Sequence, residues 1–396
     1  MITCAPNNLP SVRTIESLGG TLINAKNVEV EPGIFRLTNI YHLFDYETTM
    51  IKPTKLNRGD KVATVSLSWG GPSVFPHRYQ AGVRQLVSEF GLSVVEMPHT
   101  LKDADWLARN PKARADDLMQ AFSDPSIKGI ITTIGGDDSI RLLPYVDLNV
   151  IRNNPKVFMG YSDATISHML CFKAGLVSFY GPTIMAGFAE NGGLFPYMTK
   201  SVQRTLFQTD VIGEIKPNID GWTVERLEWG EPANQEKKRI LNPCTGWKYL
   251  QGKGLHRGHL LGGCIEVLDW LRGTELWPAP ETWQDAILFL ETSEEAPPPT
   301  TVKYMLRAFA ASGILKRLSG ILFGRPGGEI PIGSFEEYDQ VILQVVRDEE
   351  SLENLPIITN MDFGHTDPMF VIPYGVQVEI DCIWQRFSIQ ENAVQE

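Results

Sequence analysis

Two rhythms of apolar residues alternate along the first half of the chain. Short strand-like runs cover 61–67, 92–96, 127–134 and 157–161, the third of them dense in β-branched residues. Between them, apolar positions recur every three to four residues. Tyr79, Val83, Leu86, Val87 and Phe90 fall on one helical face, and a second helix is expected over 111–123, with Ala113, Leu118, Met119 and Phe122 apolar. A further helix is expected over 163–173. Strands alternating with helices predict an α/β fold built on a doubly wound, mostly parallel sheet. Ligands bind such sheets beyond the carboxyl ends of the strands. Gly135-Gly136 and Ser162 both stand at such ends.

The pattern changes three times. Residues 1–55 are polar and mixed, with weak periodicity, and are expected to form an N-terminal extension. Residues 56–210 form the first α/β domain. Residues 211–255 hold Trp222, Trp229, three prolines and the run Glu236-Lys237-Lys238-Arg239, which suggests a long connector with little regular structure. Connectors of this length are usually functional or disordered. A smaller C-terminal α/β domain is expected over 256–396. Its strands are expected at 286–290, 320–323, 357–359, 376–380 and 384–389, and its helices at 301–311 and 335–348.

Composition adds exclusions. Lys plus Arg number 36 against 47 Asp plus Glu, a net charge of −11 over 396 residues. An acidic chain argues against nucleic acid or an anionic membrane surface as the main partner. A small phosphorylated ligand needs only a local pocket. The five cysteines are odd in number and widely spaced, which fits reduced thiols in the cytoplasm better than a disulfide or zinc framework. Met1 to Pro6 lack a basic segment leading into an apolar run, so no secretory signal is expected. No H-E-x-x-H, P-loop or dinucleotide fingerprint occurs, and no metal or cofactor is expected.

Candidate chemistry gathers at strand ends. In Gly160-Tyr161-Ser162-Asp163-Ala164 a serine stands between a strand and a helix. A sharp turn there lifts the hydroxyl clear of the sheet, and the Asp163 N–H can then face an oxyanion. Equally, Ser162 could be a helix N-cap. A nucleophilic serine needs a base. His168 lies on the same helix and points elsewhere, whereas His365 sits in a turn-rich loop after a strand. Glu291 ends an apolar strand and could orient an imidazole, or could be a surface acid. Gly135-Gly136 allows close approach of backbone to ligand and a second oxyanion N–H from Gly136, or merely a tight turn. Trp222 and Trp229 could anchor the connector, or one could stack on a planar ring.

Taken together these segments resemble the LD-carboxypeptidase family of serine peptidases. The resemblance rests on Gly135-Gly136, Gly160–Asp163, Gly181-Pro182, Gly258–Gly263, 287–291 and Asp362-Phe363-Gly364-His365, and runs from about residue 58 to about 390. It implies a Ser162, Glu291, His365 triad, with the nucleophile in the first domain and the other two in the second. It also implies a homodimer. One branch of the family trims muropeptide tetrapeptides at an L,D bond. The other, the microcin C immunity (MccF-like) branch, cleaves aminoacyl-nucleotide mimics. Gly135–Ser139, Ala186–Gly192, the Trp-bearing connector and Gly364–Pro368 are similar to the second branch. In it a loop tryptophan stacks on adenine, and Trp229 matches best by position. Cys264 stands where carboxypeptidases commonly have Asn. The expected ligand is therefore a small aminoacyl-nucleotide-like or peptide substrate, and a non-catalytic binder of such a toxin is the alternative of a different class.

Overall fold

The computed structural model describes residues 50–396 throughout. Before them it describes the backbone of β1 (Ile2–Cys4), β2 (Thr21–Glu31) and β3 (Ile34–His42), together with Asn8 and Ser11. The chain divides into two units, Met1–Thr49 and Met50–Glu396. In the first, the strands form an antiparallel sheet in the order β1-β3-β2, with Ile2 opposite Tyr41 and Val28 opposite Arg36. β2 and β3 flank Pro32-Gly33 in the sequence, a turn signal that their mixed composition obscured.

The second unit opens with β4 (Lys61–Val65), β5 (Ser93–Glu96), β6 (Ile127–Thr132), β7 (Val157–Gly160) and β8 (Phe179–Tyr180). It continues with β9 (Gly213–Ile215), β10 (Lys248–Gln251), β11 (Leu255–Cys264), β12 (Ile287–Glu291), β13 (Gly320–Gly324), β14 (Ile357–Met361), β15 (Ile372–Pro373), β16 (Gln377–Asp381) and β17 (Arg386–Ile389). The first sheet has the order β15-β8-β7-β6-β4-β5 and is parallel apart from β15. Its middle strands are buried on both faces, which is why β6 and β7 read as continuous apolar runs. Helices Pro76–Phe90 and Pro111–Ser123 each begin on proline, whose missing N–H is harmless there. The second of these turns Ala115, Leu118, Ala121 and Phe122 into the core.

The second sheet has the order β10-β14-β13-β12-β11-β16-β17-β9. β11 to β14 run parallel; the remaining pairings are antiparallel. β11 is long enough to use two neighbours, β16 along Leu255 to His259 and β12 along Leu260 to Cys264. The connector differs from expectation: it supplies both outer strands of this sheet, β9 and β10. Strands of three and four residues bonded on one edge need no apolar run, so the pattern gave no sign of them. The helix expected over 335–348 is α-helical only over Phe335–Leu343 and widens to a π-helix over Gln344–Glu349. Rings join the two sheets: Phe289 of β12 packs edge-on against Tyr180 at 5.4 Å and Tyr374 at 5.0 Å. Among the described residues, no helix is long and apolar enough to cross a membrane.

His168 props the end of β7 from below. Its Nε2 donates to the Gly160 carbonyl (2.9 Å), its Nδ1 accepts from the Ser178 hydroxyl (2.8 Å), and its ring stacks on Tyr374. Complete burial lowers its pKa from 6.5 to about 3. The unfolded chain therefore binds a proton that the folded chain refuses between these values. The stability that His168 contributes is fully present above pH 6.5 and falls below it, by as much as ~1.4 kcal/mol per pH unit. Urea unfolding at pH 7, 6 and 5, above the main carboxylate range, is expected to show this slope, and His168→Gln to flatten it. An unchanged slope in the variant would assign the pH dependence elsewhere.

Candidate active site

Ser162 sits where β7 gives way to a short 3₁₀ turn and helix Thr165–Lys173. Its φ is +64°. A left-handed conformation at a non-glycine residue costs on the order of 1–2 kcal/mol and persists only where the surroundings enforce it. The strain turns the hydroxyl away from the sheet. Gly135, beyond the end of β6, lies directly against it: a Cβ there would stand 2.9 Å from the serine Cβ and 3.0 Å from Oγ. Asp163 follows Ser162 directly in the chain, and Gly136, packed against Ser68 and Trp69, lines the same cavity as Ser162. The Asp163 side chain does not face the cavity chemistry; it is buried and accepts from the Ser139 N–H at 2.8 Å. Burial raises its pKa.

His365 and Glu291 come from the second sheet. Glu291 ends β12 and is fully buried; His365 lies four residues beyond β14. His365 Nε2 is 3.0 Å from Ser162 Oγ, and Nδ1 is 2.6 Å from Glu291 Oε2. Gly364 permits this approach: its φ is +92°, and a Cβ would lie 2.6 Å from the Glu291 Cβ. Asp362 anchors the loop. It accepts from Arg325 Nη2 (2.8 Å), the Asn218 N–H (2.9 Å) and the half-buried Trp247 Nε1 (2.8 Å). The Tyr161 ring packs against the imidazole at 4.9 Å.

Tyr180, which the sequence pattern did not single out, ties the two halves together. Its hydroxyl accepts from the Ser162 N–H at 3.0 Å and donates to Glu291 Oε1. β8 is only two residues long, too short for any periodicity to mark it. Burial opposes a charge on His365, but the carboxylates of Glu291 and Glu294 outweigh it and raise its pKa well above the ordinary value. A chain of hydroxyl, imidazole and carboxylate with this spacing can move a proton off the serine once the ring is neutral.

A cavity of about 660 Å³ opens over these groups. Trp229 lines one wall, with the Arg78 guanidinium 4.1 Å over its ring and Phe75 edge-on at 5.8 Å. Trp222 instead anchors the connector: it is buried, with Arg325 4.6 Å over its ring and Phe335 beside it. Arg239 pins the connector to the floor, pairing with Glu190 and, at 2.8 Å, with Asp367. Thr223 and Asp367 exchange backbone hydrogen bonds of 2.8 and 3.0 Å. Cys264, also at the cavity, is buried and its Sγ meets Glu266 at 3.3 Å. Among the described residues, no group of three or more His, Cys, Asp or Glu side chains could hold a metal.

Comparison with known proteins gives a consistent pattern. The chain is 28% identical over 338 residues to the microcin C7 self-immunity protein MccF of Escherichia coli, covering 84% of this chain and 94% of that protein. It is 26% identical over 348 residues to the "Probable murein peptide carboxypeptidase" of Bacillus subtilis, covering 87% and 96%. A solved MccF-like protein of Streptococcus pneumoniae, in complex with AMP, matches with a TM-score of 0.75 and 32% identity, covering 84% of this chain and 99% of that one. Residues 62–181 match the LD-carboxypeptidase N-terminal domain and residues 257–380 the LD-carboxypeptidase C-terminal domain. The chain belongs to the LD-carboxypeptidase family of peptidases.

Proposed function

We propose that the protein is a serine hydrolase that cleaves the amide-type bond between an aminoacyl carbonyl and a nucleotide-like leaving group. The observation that carries this reading is the Ser162–His365–Glu291 hydrogen-bond chain at the floor of a cavity whose wall is Trp229 and Arg78. Ser162 Oγ attacks the acyl carbon and its proton passes to His365 Nε2. The N–H groups of Gly136 and Asp163 hold the resulting oxyanion; one such donor contributes ~10²–10³ in rate. His365 then protonates the leaving nitrogen, and the acyl group stays on Ser162 as an ester. Water, deprotonated by His365, attacks the ester carbon, and His365 returns that proton to Ser162 Oγ as the C–Oγ bond breaks and the amino acid leaves. Glu291 keeps the imidazole oriented and balances its charge.

The nucleotide half of the reading is supported by the AMP-bound relative and by a cavity wall that brings an aromatic ring and two guanidinium groups together. Turnover of an aminoacyl sulfamoyl adenosine, compared with a muropeptide tetrapeptide, tests it. Efficient cleavage of the tetrapeptide alone would return the protein to the carboxypeptidase branch. Trp229→Ala is expected to weaken the nucleoside ligand by ~1–3 kcal/mol, the usual worth of a base on an aromatic ring. A ligand lacking the base should be little affected, and equal losses for both would make Trp229 a support for Arg78 and Phe75. We also propose, from the family resemblance and the odd, widely spaced cysteines, that the protein works as a homodimer in the cytoplasm.

A further inference from the structure

His365 Nε2 has two claimants. Ser162 Oγ and Glu294 Oε2 both lie 3.0 Å from it. With Nδ1 committed to Glu291, a proton held on Nε2 for Glu294 makes the ring an imidazolium and leaves no lone pair for the serine proton. The resting contact therefore blocks the step that the proposed hydrolysis requires. The two carboxylates differ in freedom. The Glu291 side chain is fully buried and held by Tyr180, whereas that of Glu294 is 58% exposed and lines the cavity.

We propose that Glu294 reads the free α-ammonium of the aminoacyl group, and that taking this contact frees His365 to act as base. This deepens the aminoacyl-nucleotide reading and rests on it for the class of substrate. Through the shared nitrogen, Glu294 Oε2 is at most 3.0 + 3.0 = 6.0 Å from Ser162 Oγ. An acyl carbon poised for attack lies ~3 Å from the hydroxyl oxygen. Its α-nitrogen is ~2.5 Å further on by standard bond lengths and angles. An α-ammonium can thus meet Glu294 while the carbonyl meets Ser162.

Once Glu294 pairs with the ammonium, the imidazolium loses one counter-charge. Its Nε2 proton leaves to solvent, and the lone pair can take the proton of Ser162. The hydrogen bond to His365 lowers the Glu294 pKa to about 2, in keeping with a charged resting pair. The other charged and titratable groups around the pair include Glu291, Tyr161, Asp367, Glu266 and Glu295, with Arg226 and Arg239 on the connector. A carbonyl whose α-nitrogen is acylated, as inside a peptide, brings no ammonium and leaves Glu294 on His365.

The test is binding to the full chain carrying Ser162→Ala, by calorimetry, of an aminoacyl sulfamoyl adenosine and its Nα-acetyl counterpart. A preference of ~10-fold or more for the free amine is expected, shrinking to ~2-fold or less when Glu294→Gln is added. With Ser162 intact, Glu294→Gln should raise KM for the free amine and move the acid limb of kcat/KM to lower pH, since its His365 loses a proton more readily. Equal affinities in Ser162→Ala, or a preference that survives Glu294→Gln, would overturn the proposal. Aminoacyl p-nitroanilides, free and Nα-acetylated, separate the two readings. If the protein ignores the sulfamoyl adenosines but cleaves the anilides with the amine preference, the nucleotide reading fails and the role of Glu294 stands. If it binds the adenosines without amine preference, the reverse holds.

Discussion

Ser162→Ala is expected to lower kcat by about 10⁶ while leaving ligand affinity nearly unchanged, because losing the nucleophile of a serine–histidine–acid set removes the covalent route altogether. Alanine keeps the left-handed backbone as strained as serine does, and the Ser162 N–H still donates to Tyr180. The change removes one hydroxyl at 3.0 Å from His365. Stability should shift by no more than ~1.5 kcal/mol, the net worth of an ordinary hydrogen bond, so lost activity would not reflect unfolding. A serine-reactive phosphonate should label the wild-type protein at Ser162 and fail on the variant. Activity within tenfold of wild type would remove Ser162 from the mechanism, and a wild-type protein that binds ligand without labelling would be a binder rather than an enzyme.

Asp362→Ala is expected to destabilise the fold by ~3–5 kcal/mol, the usual consequence of stranding a buried charge. Arg325 and Asp362 are each at most 1% exposed. Removing the carboxylate also orphans Trp247 Nε1 and the Asn218 N–H. Arg325 would retain only the partly compensating contacts to Asn360 and Thr366 and the Trp222 face. Asp362→Asn strands the same guanidinium and should lose nearly as much, although its amide oxygen can still accept from Trp247 Nε1 and the Asn218 N–H, which share one carboxylate oxygen. Equilibrium urea unfolding gives the number, and a loss under ~1 kcal/mol would mean that the guanidinium finds water. Because Asp362 stands three residues before His365, activity should fall faster than stability alone explains.

The parts of the fold legible in the sequence are those marked by a change of rhythm. The apolar runs at β4, β6, β7, β12 and β13 stand out because both of their faces are buried. The chemically suggestive residues Ser162, Glu291 and His365 each stand at or shortly past the carboxyl end of a strand, where a sheet presents its side chains to a ligand. That three residues separated by 129 and 74 positions meet is a property of sheet order, to which local periodicity is blind. The same blindness hides Tyr180, carried by a strand of two residues, and Glu294, which looks in sequence like one more surface acid after Glu291-Thr292-Ser293. The edge strands β9 and β10 are hidden for another reason: their partners, not their own composition, make them strands.

Both outer strands of the eight-stranded sheet are the two ends of one segment, and this has an evolutionary consequence. A stretch tethered at each end, and pinned along its length by Asn218, Trp222 and Arg239, can be rewritten at the positions between those anchors with little penalty to the rest of the fold. Between the anchors lie Arg226 and Trp229, which line the cavity, while Ser162, Glu291 and His365 all lie outside the segment. Descendants of such a chain could trade one leaving group for another by mutating this panel alone, with the cleavage chemistry inherited intact.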